Sequence, residues 1–474
     1  MRSQPSLGLV LLVLACGACA APRDMPLEHV LTFDREGDPV APATGIFRHF
    51  DPFDEMGRRD YRAHVELMLQ ALLDGAPRAK DGRRRVLIFI HGGMRRMVYS
   101  ARRSTELKDP ILADGYWPIF INWESSLSSS YRDHLFFVRQ GDDWGWWGVP
   151  LFPVYLIQDL AWGLGRVPVT LVSQTTSFIQ GLPGILVGEQ RTAGRVVDRM
   201  GGADPGLFER MDESSDLELQ EEGELVPIDI WIGDDLQTGP DTAADFLSRT
   251  LTAPLKLIEN PFLSGLGPSA WNIMERRIYL LLHSEREFRS GLTRPGRRGL
   301  ARFIAQLREL QVEEGLEITL IAHSMGAIVA NEILREDPEL EIDNIVFMAA
   351  ACSLRDYETT IFPYMEAHPR TEVYHLTLHP KGEVRERQFL DLTPRGSLLV
   401  WIDGFLTQPL TPSDRVAGIF SNLVLAVHRT PDELRPRIHI KAFPTGRGVD
   451  PLVPTRHLHF TERRFWDPAF WKRP

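Results

Sequence analysis

Cysteine is scarce in this chain: of 474 residues only three are cysteines, and Cys16 and Cys19 lie close to the N-terminus. Cys352 is the one cysteine in the body of the sequence, so a disulfide scaffold is excluded. Hydrophobic residues make up 43% of the chain and charged residues 25%. This usage is that of an ordinary globular protein and excludes a disordered or coiled-coil chain.

An excess of basic charge is also missing, because 53 Lys and Arg face 64 Asp and Glu and the formal net charge is −11. Nucleic acids are bound by clustered Lys and Arg, so no nucleic-acid partner is expected. The sequence has no glycine-rich phosphate loop. His457 and His459 alone are too few ligands for a zinc site. The sequence therefore predicts neither a metal nor a cofactor.

The first residues have the composition of a secretory signal. Arg2 precedes an apolar run from Leu7 to Ala15, and small residues follow. The run is too short for a stable membrane span. We therefore predict a signal peptide over residues 1–21.

A cysteine directly follows the apolar run. The sequence Val13-Leu14-Ala15-Cys16 resembles a bacterial lipobox, in which the cysteine becomes the lipidated first residue. Cys19 is a second option. Lipidation at Cys16 would give a membrane-anchored lipoprotein of the cell envelope. Plain secretion, with cleavage at Ala18-Cys19-Ala20, is the alternative.

Apolar runs that predict buried strands alternate with helical patterns along the chain. The predicted strands include Val86–Ile90, Trp117–Trp123, Leu316–Ile321, Asn344–Ala349, Glu372–Leu378 and Arg437–Phe443. Strands that alternate with helices form right-handed βαβ units. The pattern therefore predicts an α/β fold with a largely parallel sheet.

The interval 124–310 is much longer than one crossover connection between strands. We interpret it as an inserted cap that separates residues 22–123 from residues 311–474. Its first part is rich in Trp and Phe, which predicts packing on the catalytic domain or, as the sharper hypothesis, an acyl-binding or lipid-facing lid. Its interrupted apolar stretch is not predicted to span a membrane.

The pentapeptide Ala322-His323-Ser324-Met325-Gly326 follows a predicted strand and opens a predicted helix. A serine in such a tight turn needs small residues two positions before and after it, here Ala322 and Gly326. The turn lifts the hydroxyl above the sheet, and the helix N-terminus supplies positive potential for an oxyanion. The spacing favours a nucleophile at Ser324 over a helix-capping serine.

This pattern resembles the α/β-hydrolase superfamily in its lipase and esterase branch. Members usually carry Gly-x-Ser-x-Gly, whereas this chain has Ala322 at the first position. The resemblance covers the strands from Val86 to the C-terminus and leaves out most of the interval 124–310. It implies a mostly parallel sheet with helices on both faces and a large cap between the strands before the nucleophile.

The sequence His91-Gly92-Gly93-Met94, directly after the strand Val86–Ile90, resembles the oxyanion loop of the same superfamily. Glycines let the backbone approach a substrate carbonyl. The resemblance implies that the donors are the backbone N–H groups of Gly93 or Met94 and of Met325. His91 is expected to orient the loop.

The resemblance also implies an acid after the strand Glu372–Leu378. Glu383 lies at the corresponding place and is the predicted acid, with Glu386 and Asp391 as alternatives. A carboxylate there would hold the catalytic imidazole in the right tautomer.

The base is expected after the last strand, Arg437–Phe443. His457 and His459 both lie there. We predict His457, because some hydrolases with a Phe-Trp pair, like Phe465-Trp466 here, place a histidine shortly before it. His457 would take the proton of Ser324 and return it to the leaving group.

Together these features predict a serine hydrolase that cleaves carboxylic esters, lipid esters among them, through an acyl-enzyme. The expected partners are a small-molecule or lipid ester and, through the N-terminal lipid, the membrane. Two alternatives remain: an acyltransferase with the same nucleophile, and a non-catalytic envelope protein on a hydrolase scaffold. The sequence does not indicate an oligomeric state.

Overall fold

The computed structural model describes most of the chain beyond its N-terminal segment. The described residues are 25–43, 46–49, 55–139, 142–165, 228–233, 243–285, 298–386, 396–427, 429–445, 450 and 452–473. The predicted signal peptide with Cys16 and Cys19, and the alternative acid Asp391, lie outside these residues.

Within the described residues, eight parallel strands form the central sheet. In chain order they are β1 (Val30–Phe33), β2 (Arg84–Ile90), β3 (Trp117–Trp123), β4 (Asp229–Ile232), β5 (Leu316–His323), β6 (Asn344–Met348), β7 (Glu372–Leu378) and β8 (Ile438–Phe443). Across the sheet their order is β1-β3-β2-β5-β6-β7-β8-β4. The predicted fold class, α/β with a mostly parallel sheet, is confirmed.

Helices connect most of these strands. The longer ones span Glu55–Gly75, Met97–Ala113, Leu127–Phe136, Phe152–Gly165, Ala243–Leu282, Gly299–Glu314 and Gly326–Glu336. The shorter ones span Leu354–Asp356, Phe362–Ala367, Pro380–Arg385, Leu398–Trp401, Phe420–Val427 and Pro468–Trp471. Two small hairpins pair Val40–Ala43 with Ile46–His49 and Val138–Arg139 with Asp142–Asp143. No described helix combines the length and the apolar run that crossing a bilayer demands.

The central strands are apolar and covered on both faces. Every residue of β3 is buried, and so are the last five residues of β2. This is the burial expected of a parallel sheet with helices packed against it. The register pairs Ile90 of β2 with Ala322 of β5, and His323 of β5 with Met348 of β6. The loops that follow these three strands therefore meet at the carboxyl ends of the strands.

Part of the interval 124–310 builds the sheet and its core. β4 pairs in parallel with β8 and extends the sheet edge. The long helix Ala243–Leu282 buries Trp271, Met274 and Ile278 in the same hydrophobic cluster as the central strands. The boundaries of a separate cap stay a prediction.

Candidate active site

Ser324 lies in the turn between β5 and the helix Gly326–Glu336, and its φ angle is 52°. A positive φ is strained for a residue with a side chain, and such strain persists only where neighbouring structure imposes it. Here the N–H of Ser324 donates to the carbonyl of Met348 at 2.9 Å. Its carbonyl accepts from the N–H of Ala351, also at 2.9 Å. The neighbouring strand and its loop thus hold the turn in place.

The turn packs directly against the loop that follows β2. A Cβ atom on Gly326 would lie 2.5 Å from the carbonyl oxygen of Ile90. One on Gly92 would lie 2.7 Å from Nδ1 of His323 and 3.0 Å from Cβ of Ser324. Only glycine fits at these two contacts, because real Cβ atoms do not approach other atoms so closely.

The three predicted oxyanion residues lie together beside Ser324. A Cβ on Gly93 would lie 2.7 Å from Sδ of Met325, and Met94 has a φ of 63°. The backbone N–H groups of Gly93, Met94 and Met325 have no acceptor among the described residues. Unpaired backbone donors near a buried site are uncommon and are available to a ligand oxygen.

His91 is buried and holds the loop. The N–H of Trp123 donates to Nε2 of His91 at 3.1 Å, so Nδ1 carries the proton and donates to the carbonyl of Gly92 at 2.6 Å. Burial lowers the pKa of His91 to about 4. A neutral ring with both nitrogens engaged fixes the loop geometry, which is the role expected for this residue.

His457 lies beside the nucleophile turn. Its ring is 4.9 Å, centroid to centroid, from the ring of His323, whose Nε2 donates to the carbonyl of His457 at 3.2 Å. Burial, and then the proximity of His323 and Arg95, lowers the pKa of His457 well below its usual value. Both ring nitrogens are buried without a partner in the described part of the chain. No hydrogen bond therefore joins His457 to the hydroxyl of Ser324 in this structure.

His459, the alternative base, points elsewhere. It is half-buried, and its Nδ1 lies 3.3 Å from the hydroxyl of Thr455. The choice between His457 and His459 stays a prediction, and the proximity to His323 favours His457.

The predicted acid, Glu383, is buried in the short helix Pro380–Arg385. Its Oε2 accepts from the hydroxyl of Ser397 at 2.6 Å, while its Oε1 has no partner among the residues described. Burial raises the pKa of Glu383 to about 8, against the lowering effect of the Ser397 hydrogen bond. The structure thus places Glu383 beside Ser397 and in no hydrogen bond with the ring of His457.

The alternative acid Glu386 reaches His457 more directly. Its Oε2 accepts from the backbone N–H of His457 at 3.2 Å. Burial raises the pKa of Glu386, and the bond from His457 opposes that effect.

Ser397, the hydrogen-bond partner of Glu383, is not among the residues that the sequence predicts, because no motif indicates it.

A cavity of about 430 Å³ lies away from these residues. Its walls include Arg35, Asp133, Phe137, Trp146 and Arg277, and neither Ser324 nor His457 lines it. This cavity is therefore not an acyl-binding pocket at Ser324. Within the described ranges no three His, Cys, Asp or Glu side chains lie close enough to hold a metal ion.

Neither a protein-family model nor a curated protein nor a solved structure matches this chain. The assignment to an α/β fold with a mostly parallel sheet rests on the strand order.

Proposed function

We propose that this chain is a serine hydrolase that cleaves carboxylic esters, lipid esters among them, through an acyl-enzyme on Ser324. The observation that carries the proposal is the strained turn at Ser324, with φ at 52°, next to three backbone N–H groups that no described residue accepts from. Strain of this kind clusters at functional sites, and the donors supply what a tetrahedral oxyanion needs.

The position of the turn in the sheet supports the same proposal. From the central pair of β2 and β5, the chain continues to β3 on one side and to β6 on the other. Loops that leave in opposite directions open a crevice at the carboxyl ends of the strands, where open α/β sheets bind ligands. Ser324 and the loop His91–Met94 lie at this switch point. The strand arrangement is compatible with the α/β-hydrolase fold.

In the proposed reaction the Ser324 oxygen attacks the ester carbonyl while His457 takes the hydroxyl proton. The negative oxygen of the tetrahedral intermediate accepts from the N–H of Met325 and from Gly93 or Met94. His457 then protonates the departing alcohol. Water then attacks the acyl-enzyme and gives one proton to His457. As the carboxylic acid leaves, His457 returns that proton to the Ser324 oxygen.

His457 is suited to the role of base because nothing in the described chain occupies its nitrogens. A buried polar atom without a hydrogen bond is costly, so a rotation that brings the Ser324 hydroxyl to the ring is favourable. Catalytic hydrogen bonds of this kind often tighten only when substrate is bound. Glu383 is the proposed acid, and Glu386 is the alternative that the contact with His457 supports.

The test is labelling by a fluorophosphonate, which reacts with an activated serine. The wild-type chain should be labelled and should hydrolyse short-chain esters, whereas Ser324→Ala should fold normally and do neither. Ser421→Ala, a change at an exposed helical serine, is the matched control and should behave as the wild type. Labelling of Ser324→Ala at the wild-type rate would refute the nucleophile.

The missing hydrogen bond between Ser324 and His457 favours one second candidate, a non-catalytic protein on the same scaffold. A wild-type chain that neither reacts with a fluorophosphonate nor turns over any ester in a broad acyl-chain series would support it. An acyltransferase would instead label normally and transfer its acyl group to added alcohols or amines in preference to water.

A further inference from the structure

The segment 144–165 exposes large apolar side chains. A short 3₁₀ helix, Gly145–Leu151, continues directly into the helix Phe152–Gly165. We call its outward side the aromatic face, formed by Trp146 (81% exposed), Trp147 (84%), Val154 (60%), Ile157 (67%), Trp162 (65%) and Leu164 (64%). Soluble surfaces rarely present so many neighbouring apolar groups unless they contact something.

The polar side of this segment faces the protein. Asp159 is the only charged residue between Trp144 and Gly165, and it is buried. It accepts from the hydroxyl groups of Tyr131 at 3.0 Å and Ser269 at 3.1 Å, and it lies 3.1 Å from Nε2 of His134. The segment therefore reverses the usual distribution of polar and apolar side chains, because its carboxylate is buried and its tryptophans are exposed.

Close backbone packing fixes this orientation. A Cβ on Gly265 of the long helix would lie 2.3 Å from the carbonyl oxygen of Asp159. A Cβ on Gly148 would lie 2.3 Å from the carbonyl oxygen of Phe136. The segment is thus seated tightly on its neighbours, and it cannot turn its apolar side inward without breaking both contacts.

We propose that the aromatic face docks into the interfacial region of a phospholipid bilayer. Tryptophan prefers this region, because its ring is apolar and its N–H can bond to headgroups and water. The face carries no charge, so the proposed binding depends on apolar insertion and not on anionic lipids. The occupant is a zwitterionic bilayer surface, and the proposal does not depend on catalysis at Ser324.

The predicted lipid at Cys16 supports this occupant. Only eight residues lie between Cys16 and Met25, the first described residue, and the nine Cα–Cα steps that join the two span at most about 32 Å. A lipidated chain would therefore keep its folded body next to the bilayer. A single lipid anchor is strengthened by a second contact of the same body with the membrane, which the aromatic face provides.

The test measures the fluorescence of a label attached at one position at a time. It uses the full chain with Cys16 and Cys19 changed to serine, so that no lipid can be attached at either cysteine. An environment-sensitive fluorophore is attached at Trp147→Cys and, in control variants, at Val312→Cys or Leu410→Cys. The two control positions are exposed apolar residues, 83% and 94% exposed, outside the aromatic face. The probe is a vesicle of phosphatidylcholine alone.

The label at position 147 should shift to the blue on adding vesicles and should be quenched by lipids brominated in their acyl chains. The labels at positions 312 and 410 should not change. An unchanged label at position 147, or equal changes at all three positions, would overturn the proposal. A label at position 147 that is already shielded from water without lipid would also overturn the proposal. In a dimeric chain the aromatic face would then be covered by a second copy, and in a monomeric chain by another segment of the same chain.

Changing Trp146, Trp147 and Trp162 together to serine should weaken co-sedimentation with the same vesicles by about tenfold or more, because each ring removed loses the free energy of apolar burial. The pair Val312→Ser and Leu410→Ser should leave co-sedimentation unchanged. A triple variant that co-sediments as strongly as the chain with the three tryptophans intact would contradict the proposal.

Discussion

The turn at Ser324 and the segment 144–165 depart from the usual distribution of polar and apolar groups in opposite directions. Beside the turn, the two ring nitrogens of His457 are buried and have no hydrogen-bond partner in the described part of the chain. In the segment, large apolar groups are exposed while Asp159 is buried. Buried polar groups and exposed apolar patches are the two informative exceptions in a soluble fold. The first exception suits chemistry at a site, and the second suits contact with an apolar environment.

Both exceptions are held in place by glycines at close backbone contacts. Gly326 brings the helix after Ser324 against the end of β2, and Gly265 brings the long helix against the backbone of Asp159. Neither exception therefore results from loose packing. Substitutions can disrupt the turn at Ser324 and the segment 144–165 separately. Their effects on activity, membrane binding and stability then distinguish a role in function from a role in holding the fold together.

The largest effect is expected at His457, the proposed base. His457→Gln should lower kcat/KM for ester hydrolysis by about a thousandfold or more, because the serine would lose its proton acceptor. His459→Gln should change it by about threefold or less, since that ring lies beside Thr455. Steady-state kinetics on a soluble ester measures both. A large loss in His459→Gln with an active His457→Gln would exchange the two assignments.

A smaller effect, on stability, is expected from a steric change at Gly326, where the helix after Ser324 packs against the end of β2. Gly326→Ala places a Cβ 2.5 Å from the carbonyl oxygen of Ile90, so the free energy of unfolding should fall by about 3 kcal/mol. Gly404→Ala is the control, because no described atom beyond its chain neighbours and its own helix lies within 4 Å of the added Cβ. Urea unfolding followed by circular dichroism measures both. Equal stability of the two variants would show that the helix after Ser324 does not depend on close packing against β2.

The pH dependence of stability should report on Glu383. Its pKa rises from 4.5 to about 8 on folding, so the folded chain binds the proton more tightly than the unfolded chain. The associated stability is fully present below about pH 4.5 and is lost as the pH rises through about 8. Glu383→Gln should remove this slope, as measured by urea unfolding at several pH values. A slope that persists in the variant would place the titration at another group.

The sequence predicts the central strands well because their signal is local. β3 and β7 have the predicted bounds. β3 is mostly apolar and buried along its whole length, and β7 is buried after Glu372 although it includes His375 and Thr377, as expected of strands that a parallel sheet covers on both faces. The turn at Ser324 is also local, with small residues at fixed positions around the serine.

The parts that could not be predicted depend on tertiary contacts. The helix Ala243–Leu282 contains Pro254, Pro261 and Pro268, which as a pattern argue against one continuous helix. β4 has only four residues and joins the sheet beside the much later β8. Among the candidate site residues, no local pattern indicates that Ser397 would meet Glu383.

The smallest effect is expected on the aromatic face. Changing Trp146 and Trp147 together to serine should alter the free energy of unfolding by less than about 0.5 kcal/mol, because exposed side chains away from caps and ion pairs contribute little. Trp271→Ala, at a buried ring of the long helix, should cost about 4 kcal/mol and is the reference. Urea unfolding without lipid measures both. A loss of about 2 kcal/mol or more in the double variant would mean that the two rings are covered in the free chain, and a face already covered is not available to a bilayer.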